Sequence, residues 1–370
     1  MIPLFKVNMP VSVDAPLLET LHSGFIGQGK KVEEFERGLT EFLNNPYVLT
    51  LNSGTSAIHL ALRLANVGPG DEVICSPMTC TASIQPILER GAQVVWADID
   101  PGTGNIDSDS VMSQVTAKTK AVIPVHWGGY PCDLDDLNDI ATGFDLKVIE
   151  DAAHAFGAKY RGCSIGSISP FTCFSFQAIK HFTTVDGGCL VCLNEDDYKR
   201  GKLLRWYGID RDQPKKDMRC EEDIKEYGYK YHMNDISATI GIEQLKQVRS
   251  VLTDHRINAY YYDSEFETRH IRHAKPLNYD DANLSSYWLY TILVDDRPSF
   301  MEWMTQKGIQ VSRVHARNDR HTCFKDARNK ELPGVDEFDK KHVCIPVGWW
   351  LTIEDREYIV DCIERWDMGQ

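Results

Sequence analysis

The sequence predicts an α/β fold with a large domain, built on a mostly parallel sheet between helical layers, and a smaller C-terminal α+β domain. Between about residues 47 and 195, short apolar runs alternate with segments of helical pattern. Several runs contain Val, Ile and Cys without polar alternation, which is typical of strands covered on both faces. A chain of 370 residues is long enough for two domains.

The large domain is predicted from repeated strand–helix units, which build an open parallel sheet. The predicted strands are 47–51, 72–76, 94–99, 121–126, 146–150, 171–176 and 189–193. The predicted helices between them are 55–65, 82–90, 108–115 and 134–142. No Gly-x-Gly-x-x-Gly motif follows the first strand, so a dinucleotide-binding fold is not supported.

A single long helix is predicted over residues 234–254, with Asn234 as its N-cap. We expect it to leave the large domain, which sets predicted domains of 1–255 and 256–370. The second domain is predicted to hold a strand at 288–293 and helices at 299–307 and 353–366.

Composition excludes several classes of partner. The formal net charge of −14 argues against binding to nucleic acid or to an anionic membrane. The N-terminus does not resemble a signal peptide, and no apolar run reaches the ~20 residues of a membrane span. The odd count of 11 cysteines predicts reduced, mostly buried thiols in a cytoplasmic protein. Cys189 and Cys192 are spaced like metal ligands, but no second pair completes a site, so we expect two core cysteines and no metal.

The most informative residue is Lys180, which lies between two apolar strand-like runs. An apolar setting disfavours the ammonium form, so the pKa of this lysine should fall and its free amine could form a Schiff base. Asp151 directly follows the strand-like run 146–150 and lies 29 residues before Lys180. A strand-end carboxylate followed by a buried lysine is the pair that pyridoxal phosphate requires, to protonate its ring nitrogen and to bind its aldehyde.

A candidate anion site lies at Ser53-Gly54-Thr55, between a strand end and a helix start. Glycine allows the backbone to approach a ligand closely, and the helix directs free N–H groups at an anion. Ser175, five residues before Lys180, supplies a second hydroxyl for the same phosphate. Taken alone, this segment is better explained as a simple helix cap, and its combination with Asp151 and Lys180 favours the phosphate site.

Three segments, 52–62, 150–157 and 174–180, resemble the sugar aminotransferases of the fold-type I pyridoxal phosphate enzymes, the DegT/StrS group. Segments 23–29, 124–129 and 233–241 resemble the same group. The resemblance implies a fold-type I large domain and a homodimer with active sites at the subunit interface. It also implies that an amino acid, commonly L-glutamate, aminates a keto-deoxysugar carried on a nucleotide, as in polysaccharide or O-antigen biosynthesis.

The resemblance also assigns roles to individual residues. Lys180 would be the Schiff-base lysine and proton shuttle, and Asp151 the partner of the pyridinium nitrogen. Gly54, Thr55 and Ser175 would bind the phosphate. His154 would lie against the ring or its O3′ oxygen.

The chain departs from the group at two positions. Where relatives often stack an aromatic residue on the cofactor, this chain has Cys80. Where relatives often present Asn to the neighbouring subunit's cofactor, this chain has Lys230. Either Lys230 of the partner subunit contacts the phosphate as a cation, or it is a solvated loop residue beside the acidic run 221–223.

A polar cluster over residues 313–321 is the candidate acceptor site. The resemblance places it near the nucleotide sugar, with His315 alongside, Arg317 meeting the diphosphate and Asn318 the sugar hydroxyls. A solvated loop with local ion pairs explains the same pattern.

The predicted function is therefore a pyridoxal-phosphate-dependent nucleotide-sugar aminotransferase. An aminocyclitol aminotransferase shares the same core and differs in its acceptor pocket. A non-catalytic regulator of the same fold is the alternative from another class, and the presence of Asp151, Ser175 and Lys180 disfavours it. Lys180 also disfavours the sugar dehydratases of the group, in which histidine replaces this lysine.

Overall fold

The computed structural model describes residues 1–213, 217, 223–328 and 331–370. Part of the acidic run considered beside Lys230 lies outside the described residues. No helix in the described ranges combines the length and apolarity needed to cross a bilayer.

The strands form one large sheet, one small sheet and a short hairpin. In the described part of the chain they are β1 (Val48–Leu51), β2 (Glu72–Cys75), β3 (Gln93–Trp96), β4 (Thr119–Ile123), β5 (Lys147–Asp151), β6 (Lys159–Tyr160), β7 (Cys163–Ser164), β8 (Phe171–Ser175), β9 (Gly188–Cys192), β10 (Ala274–Pro276), β11 (Tyr290–Val294) and β12 (His342–Ile345).

The helices surround these sheets, and short 3₁₀ turns join several elements. They are α1 (Asp14–His22), α2 (Lys30–Leu43), α3 (Gly54–Leu64), α4 (Gln85–Glu89), α5 (Ser108–Gln114), α6 (Leu134–Phe144), α7 (Glu195–Leu204), α8 (Asp235–Leu245), α9 (Val248–Thr268), α10 (Arg297–Gln306), α11 (Pro333–Lys341) and α12 (Ile353–Asp367).

The large sheet has the strand order β1-β9-β8-β5-β4-β2-β3. Strands β8, β5, β4, β2 and β3 pair in parallel, whereas β9 runs antiparallel to both of its neighbours. Strand β1 therefore points the same way as β8, and the carboxyl ends of six strands share one edge. This confirms the predicted mostly parallel α/β sheet.

The large sheet is covered by apolar side chains on both faces, as its unalternating strands predict. Cys192 belongs to the cluster that includes Leu60 of α3, whereas Cys189 belongs to the opposite cluster with Phe35 of α2. Both cysteines are fully buried and not disulfide-bonded. The prediction of two core cysteines is confirmed, and the structure places them on opposite faces of the sheet.

The predicted single helix over residues 234–254 is wrong. Asn234 does cap a helix, because its Oδ1 accepts the Ser237 N–H at 2.9 Å, but that helix ends at Leu245. A second helix, α9, begins at Val248 after a break at Gln247, whose φ and ψ are −108° and −9°. The apolar spacing continues across the break because both helices pack into the core, so the sequence pattern does not reveal it.

The C-terminal part consists of the antiparallel sheet β10-β11-β12 with the surrounding helices α9, α10 and α12. Their apolar side chains share one cluster, which includes Tyr262, Phe300 and Ile363. The predicted domain boundary at residue 255 lies inside α9, so this helix belongs to both parts and the division stays a prediction. The chain's first residues also join the C-terminal part, since Ile2 pairs in parallel with Ile309.

Helices α2 and α8 pack so closely at Gly241 that a Cβ there would lie 2.5 Å from the ring of Phe35. We expect Gly241→Ala to destabilise the fold, because overpacking costs about 1–3 kcal/mol and exceeds the ~1 kcal/mol that Ala gains over Gly in a helix. Gly143→Ala is the matched control, since nothing lies within 4 Å of a Cβ there. It should be neutral or stabilising in chemical denaturation. Equal shifts in the two unfolding midpoints would contradict the steric argument.

Candidate active site

A cavity of about 750 Å³ opens at the carboxyl edge of the large sheet. The loops that follow β1, β2, β5 and β8 form its floor. Segments 1–5 and 305–315 form a largely apolar wall. The cavity therefore lies where strand ends converge, the usual place for a ligand in an open parallel sheet.

Asp151, at the end of β5, is a buried carboxylate on the cavity floor. Its Oδ2 accepts the hydroxyl proton of Ser83 at 2.6 Å, and its Oδ1 accepts the Ala153 N–H at 3.0 Å. Because Ser83 donates to the carboxylate, the Thr79 hydroxyl, 2.7 Å away, donates to Ser83. No lysine, arginine or histidine of the described ranges forms an ion pair with Asp151. Its charge is thus held by neutral donors and is available to a cationic ligand group.

Lys180 follows β8 in a turn closed by its N–H donating to the Gln177 carbonyl at 3.0 Å. Its Nζ lies 3.5 Å from the centre of the Trp288 ring. Burial lowers the pKa of Lys180 to about 8, although the charges of Asp151 and Cys80 act in the opposite direction. At pH 7 roughly a tenth of the amine is therefore unprotonated, far more than for a lysine in water, as the apolar setting predicts.

The predicted anion cradle is brought together at the N-terminus of α3. Ser53 caps the helix by accepting the Ser56 N–H at 3.0 Å. Gly54 and Thr55 line the cavity, and their N–H groups donate to no acceptor among the described residues. A Cβ at Gly54 would lie 3.0 Å from Cβ of Ser175, so the second hydroxyl is adjacent. This cluster offers hydrogen-bond donors and the positive end of a helix dipole to one anion.

His154 is buried beside Lys180 and stacks on Trp288, with ring centres 3.9 Å apart. Burial, followed by the nearby charge of Lys180, lowers the pKa of His154 well below its ordinary value. The ring is therefore neutral. Its Nδ1 is buried without a hydrogen-bond partner among the described residues, which suits a polar ligand atom at this position.

Two more predicted residues reach the cavity. Cys80 lines it with an exposed thiol. His315 lines it from the C-terminal part, parallel to His154 at 5.6 Å. Burial and the charges of Lys180 and His342 lower the pKa of His315 to about 3, so this ring is neutral as well. Its substrate-binding role stays a prediction.

Arg317 and Asn318 do not line the cavity. Arg317 is buried in ion pairs with Asp319 and Asp336. Asn318 is fully buried, and its amide donates to the carbonyls of Pro77 and Thr79 at 3.0 and 2.7 Å. In this structure Asn318 ties segment 313–321 to the loop after β2, and Arg317 ties it to α11 through Asp336. Their binding of a diphosphate and sugar hydroxyls stays a prediction.

Lys230 is exposed and does not line the cavity of its own chain. Its backbone pairs with Trp206, and its carbonyl accepts a long hydrogen bond of 3.4 Å from the Asn52 amide. Within the described ranges its ammonium pairs with no carboxylate. Both interpretations of Lys230 remain predictions.

Sequence reasoning missed Ser83, Trp288 and Phe5. Trp288 was only the first residue of a predicted strand, and Ser83 only a small residue after a strand. The spacing Thr79-x-x-x-Ser83 places both hydroxyls on one side of a helical turn, which is a weak signal. Phe5 stacks on Trp288 at 5.1 Å from the far N-terminus, a contact that no local pattern reveals.

The chain is similar to known aminotransferases over nearly its whole length. The model of the DegT/DnrJ/EryC1/StrS aminotransferase family matches residues 12–364. The chain is 36% identical over 361 residues to the spore coat polysaccharide biosynthesis protein SpsC of Bacillus subtilis, covering 93% of this chain and 92% of the relative. It is 30% identical over 360 residues to the UDP-4-amino-4,6-dideoxy-N-acetyl-beta-L-altrosamine transaminase of Campylobacter jejuni, covering 95% and 93%.

Solved structures lead to the same group. The sugar aminotransferase CalS13 from Micromonospora echinospora superposes with a TM-score of 0.94 at 38% identity, covering 99% of this chain and 100% of that one. The PLP-form of the putative sugar aminotransferase Spr1654 from Streptococcus pneumoniae superposes with a TM-score of 0.90 at 30% identity, covering 100% and 99%. The fold-type I architecture is therefore confirmed.

The hydroxyl of Ser83 makes the shorter of the two hydrogen bonds described for the Asp151 carboxylate, 2.6 Å against 3.0 Å. We expect Ser83→Ala to lower kcat by roughly ten- to a hundredfold, because a hydrogen bond to a charged group contributes about 1.5–3 kcal/mol. Ser169→Ala is the control, since Ser169 is equally buried but outside the cavity, where it accepts a hydrogen bond from Asn138. Steady-state transamination by both variants, normalised for folded protein, measures the difference. Equal kcat values for the two variants would remove Ser83 from the site.

Proposed function

The chain belongs to the DegT/DnrJ/EryC1/StrS aminotransferase family, and from this premise we propose that it uses pyridoxal phosphate to aminate a keto-deoxysugar carried on a nucleotide. The observation that carries the proposal is that one cavity contains the amine of Lys180, whose pKa is lowered, the buried carboxylate of Asp151 and the anion cradle at the N-terminus of α3. We further propose that the amino donor is an amino acid, with L-glutamate the first candidate.

The residues present fit pyridoxal phosphate. The carboxylate of Asp151 has only neutral donors and would bind the ring nitrogen as its cationic form. The unpartnered Nδ1 of His154 would meet a polar substituent of the ring. Gly54, Thr55 and Ser175 would hold the phosphate. When bound, the cofactor supplies an aldehyde for amine capture and a ring that accepts electrons.

The chain's own groups divide the remaining work. With its pKa near 8, Nζ of Lys180 can take the proton from the α-carbon of the amino donor and deliver it to the carbon that the aldehyde of the cofactor would supply. The charge of Asp151 would keep the ring nitrogen of the bound cofactor protonated. The walls of Trp288, Phe5 and Leu4 exclude water from this proton transfer.

A nucleotide-linked acceptor is supported by the names of two relatives, one a transaminase of a UDP-sugar and one a protein of polysaccharide biosynthesis. The cavity, at about 750 Å³, is large enough for more than a cofactor ring. We therefore place the chain in amino sugar or polysaccharide biosynthesis. An aminocyclitol acceptor would use the same amine and carboxylate, so only the acceptor test separates the two.

We propose a homodimer in which each active site is completed by the partner subunit. Apolar side chains of α1 and the loop after it are exposed, with Leu18 57% and Phe25 81% accessible. Such neighbouring exposure is typical of a subunit contact. Gly29 and Asp235 link this loop to α8 through a 2.7 Å hydrogen bond. A cytoplasmic location, expected from the reduced cysteines, stays a prediction.

The acceptor is tested with a UDP-linked 4-keto-6-deoxysugar and the corresponding free keto sugar, each with L-glutamate. We expect kcat/KM to favour the conjugate by roughly a hundredfold or more, because remote binding energy stabilises the transition state. Lys180→Ala is the control and should form no product. Equal kcat/KM for both sugars would refute the nucleotide-linked acceptor, and parental activity of Lys180→Ala would refute the whole assignment.

The shared site is tested by mixing subunits that carry Lys180→Ala with subunits that carry Lys230→Ala. If Lys230 of the partner subunit binds the cofactor phosphate, each single variant is weakened and the heterodimer regains activity at one of its two sites. Lys225→Ala, an exposed lysine of the same segment, is the control and should retain parental activity. A demonstrated heterodimer without recovery, or full activity of Lys230→Ala alone, would make Lys230 a solvated residue.

A further inference from the structure

We propose that Trp288 is a positioning residue that holds the side-chain amine of Lys180 over its indole ring whenever this amine is not bonded to the cofactor. The inference rests on the proposed role of Lys180. The proposal names a contact partner for that amine. In each turnover the amine has to move away from the reacting atoms and then come back to them.

The contact between the two side chains is short. Nζ of Lys180 lies 3.5 Å from the centre of the Trp288 ring, well inside the range in which a cation is attracted to an aromatic face. Tryptophan provides the strongest such attraction among the aromatic side chains. The indole is almost completely buried, so solvent screens the interaction only weakly.

Within the described ranges, no carboxylate forms an ion pair with the amine, although the charge of Asp151 acts on it from a distance. The carboxylate oxygens of Asp151, the other charged group proposed for the site, accept hydrogen bonds from Ser83 and Ala153 instead. A carboxylate in direct contact would hold the side chain as an ammonium ion in a salt bridge, whereas an aromatic face attracts the ammonium form more weakly.

The indole is itself fixed relative to Lys180. Its Nε1 donates to the carbonyl of Ile179 at 2.8 Å, so the ring is tied to the residue that directly precedes the lysine. His154 and Phe5 stack on it with ring centres 3.9 and 5.1 Å away. A ring held by three contacts can define one position for the long, flexible lysine side chain. Less conformational entropy is then lost each time the amine goes back to the reacting atoms.

A simple packing role for Trp288 is the competing explanation. Packing alone predicts that any apolar replacement of suitable size leaves the amine where it is. Positioning through the ring face predicts a graded effect, in which Trp288→Phe retains part of the interaction and Trp288→Leu loses it.

The test observes the amine directly in the full-length, cofactor-free chain. Lysines are reductively methylated with carbon-13 formaldehyde, and the signal that disappears in Lys180→Arg is assigned to Lys180. We expect this signal to be displaced by the ring current of Trp288, to move toward the ordinary lysine position in Trp288→Phe and to reach it in Trp288→Leu. Its titration should show a pKa lower by about one unit in Trp288→Leu, because the ring favours the ammonium form.

Trp303→Leu is the matched control, because Nζ of Lys307 lies 4.2 Å from the centre of the Trp303 ring in the same kind of contact. This variant should displace the signal of Lys307 and leave that of Lys180 unchanged. In the cofactor-loaded enzyme, Trp288→Leu should lower kcat about tenfold with little change in KM for the amino donor.

An undisplaced Lys180 signal in the parent chain would overturn the proposal, as would a signal unaffected by Trp288→Leu. If Trp288→Leu fails to fold, the parent signal and the Trp288→Phe variant still decide the question. Activity of Lys180→Ala would refute the proposed function itself, whereas an essential Lys180 with an undisplaced signal would refute only the role of Trp288.

Discussion

The close approach of two backbone segments at Gly54 and Gly188 is the constraint on which the site depends. A Cβ at Gly188 would lie 2.6 Å from the Gly54 nitrogen and 2.6 Å from the Phe174 carbonyl oxygen. Only the absence of a side chain allows β9 to insert between β1 and β8 at this point. That insertion brings the first turn of α3 beside Ser175 and assembles an anion cradle from two distant parts of the sheet.

The cavity keeps two opposite charges apart rather than pairing them. Asp151 is satisfied by a hydroxyl and a backbone N–H, and Lys180 lies on an aromatic ring. A direct salt bridge would neutralise both groups and raise the cost of using either one. The neutral rings of His154 and His315 keep further positive charge away from the amine. The arrangement therefore leaves an acid and a base available to a ligand within one enclosure.

The sequence was most informative where function lies in contiguous segments. The strand–helix alternation located the seven strands of the large sheet, and the blocks around Asp151 and Lys180 located two chemical groups that the structure places in one cavity. It was least informative where the contact is long-range. Trp288 and Phe5 meet across more than half the chain, and the break between α8 and α9 interrupts no apolar pattern. Arg317 could be either a ligand group or a member of a local ion pair in the sequence, and the structure pairs it with Asp319 and Asp336.

Asn318 connects the C-terminal part of the chain to the buried acid through a short series of hydrogen bonds. Its amide donates to the carbonyl of Thr79, the Thr79 hydroxyl contacts Ser83, and Ser83 donates to Asp151. A change at any one of these positions leaves a buried polar group of the next without its partner. Asn318 therefore supports the loop that carries the hydrogen-bond partner of the buried acid, although Asn318 itself touches neither the acid nor the cavity.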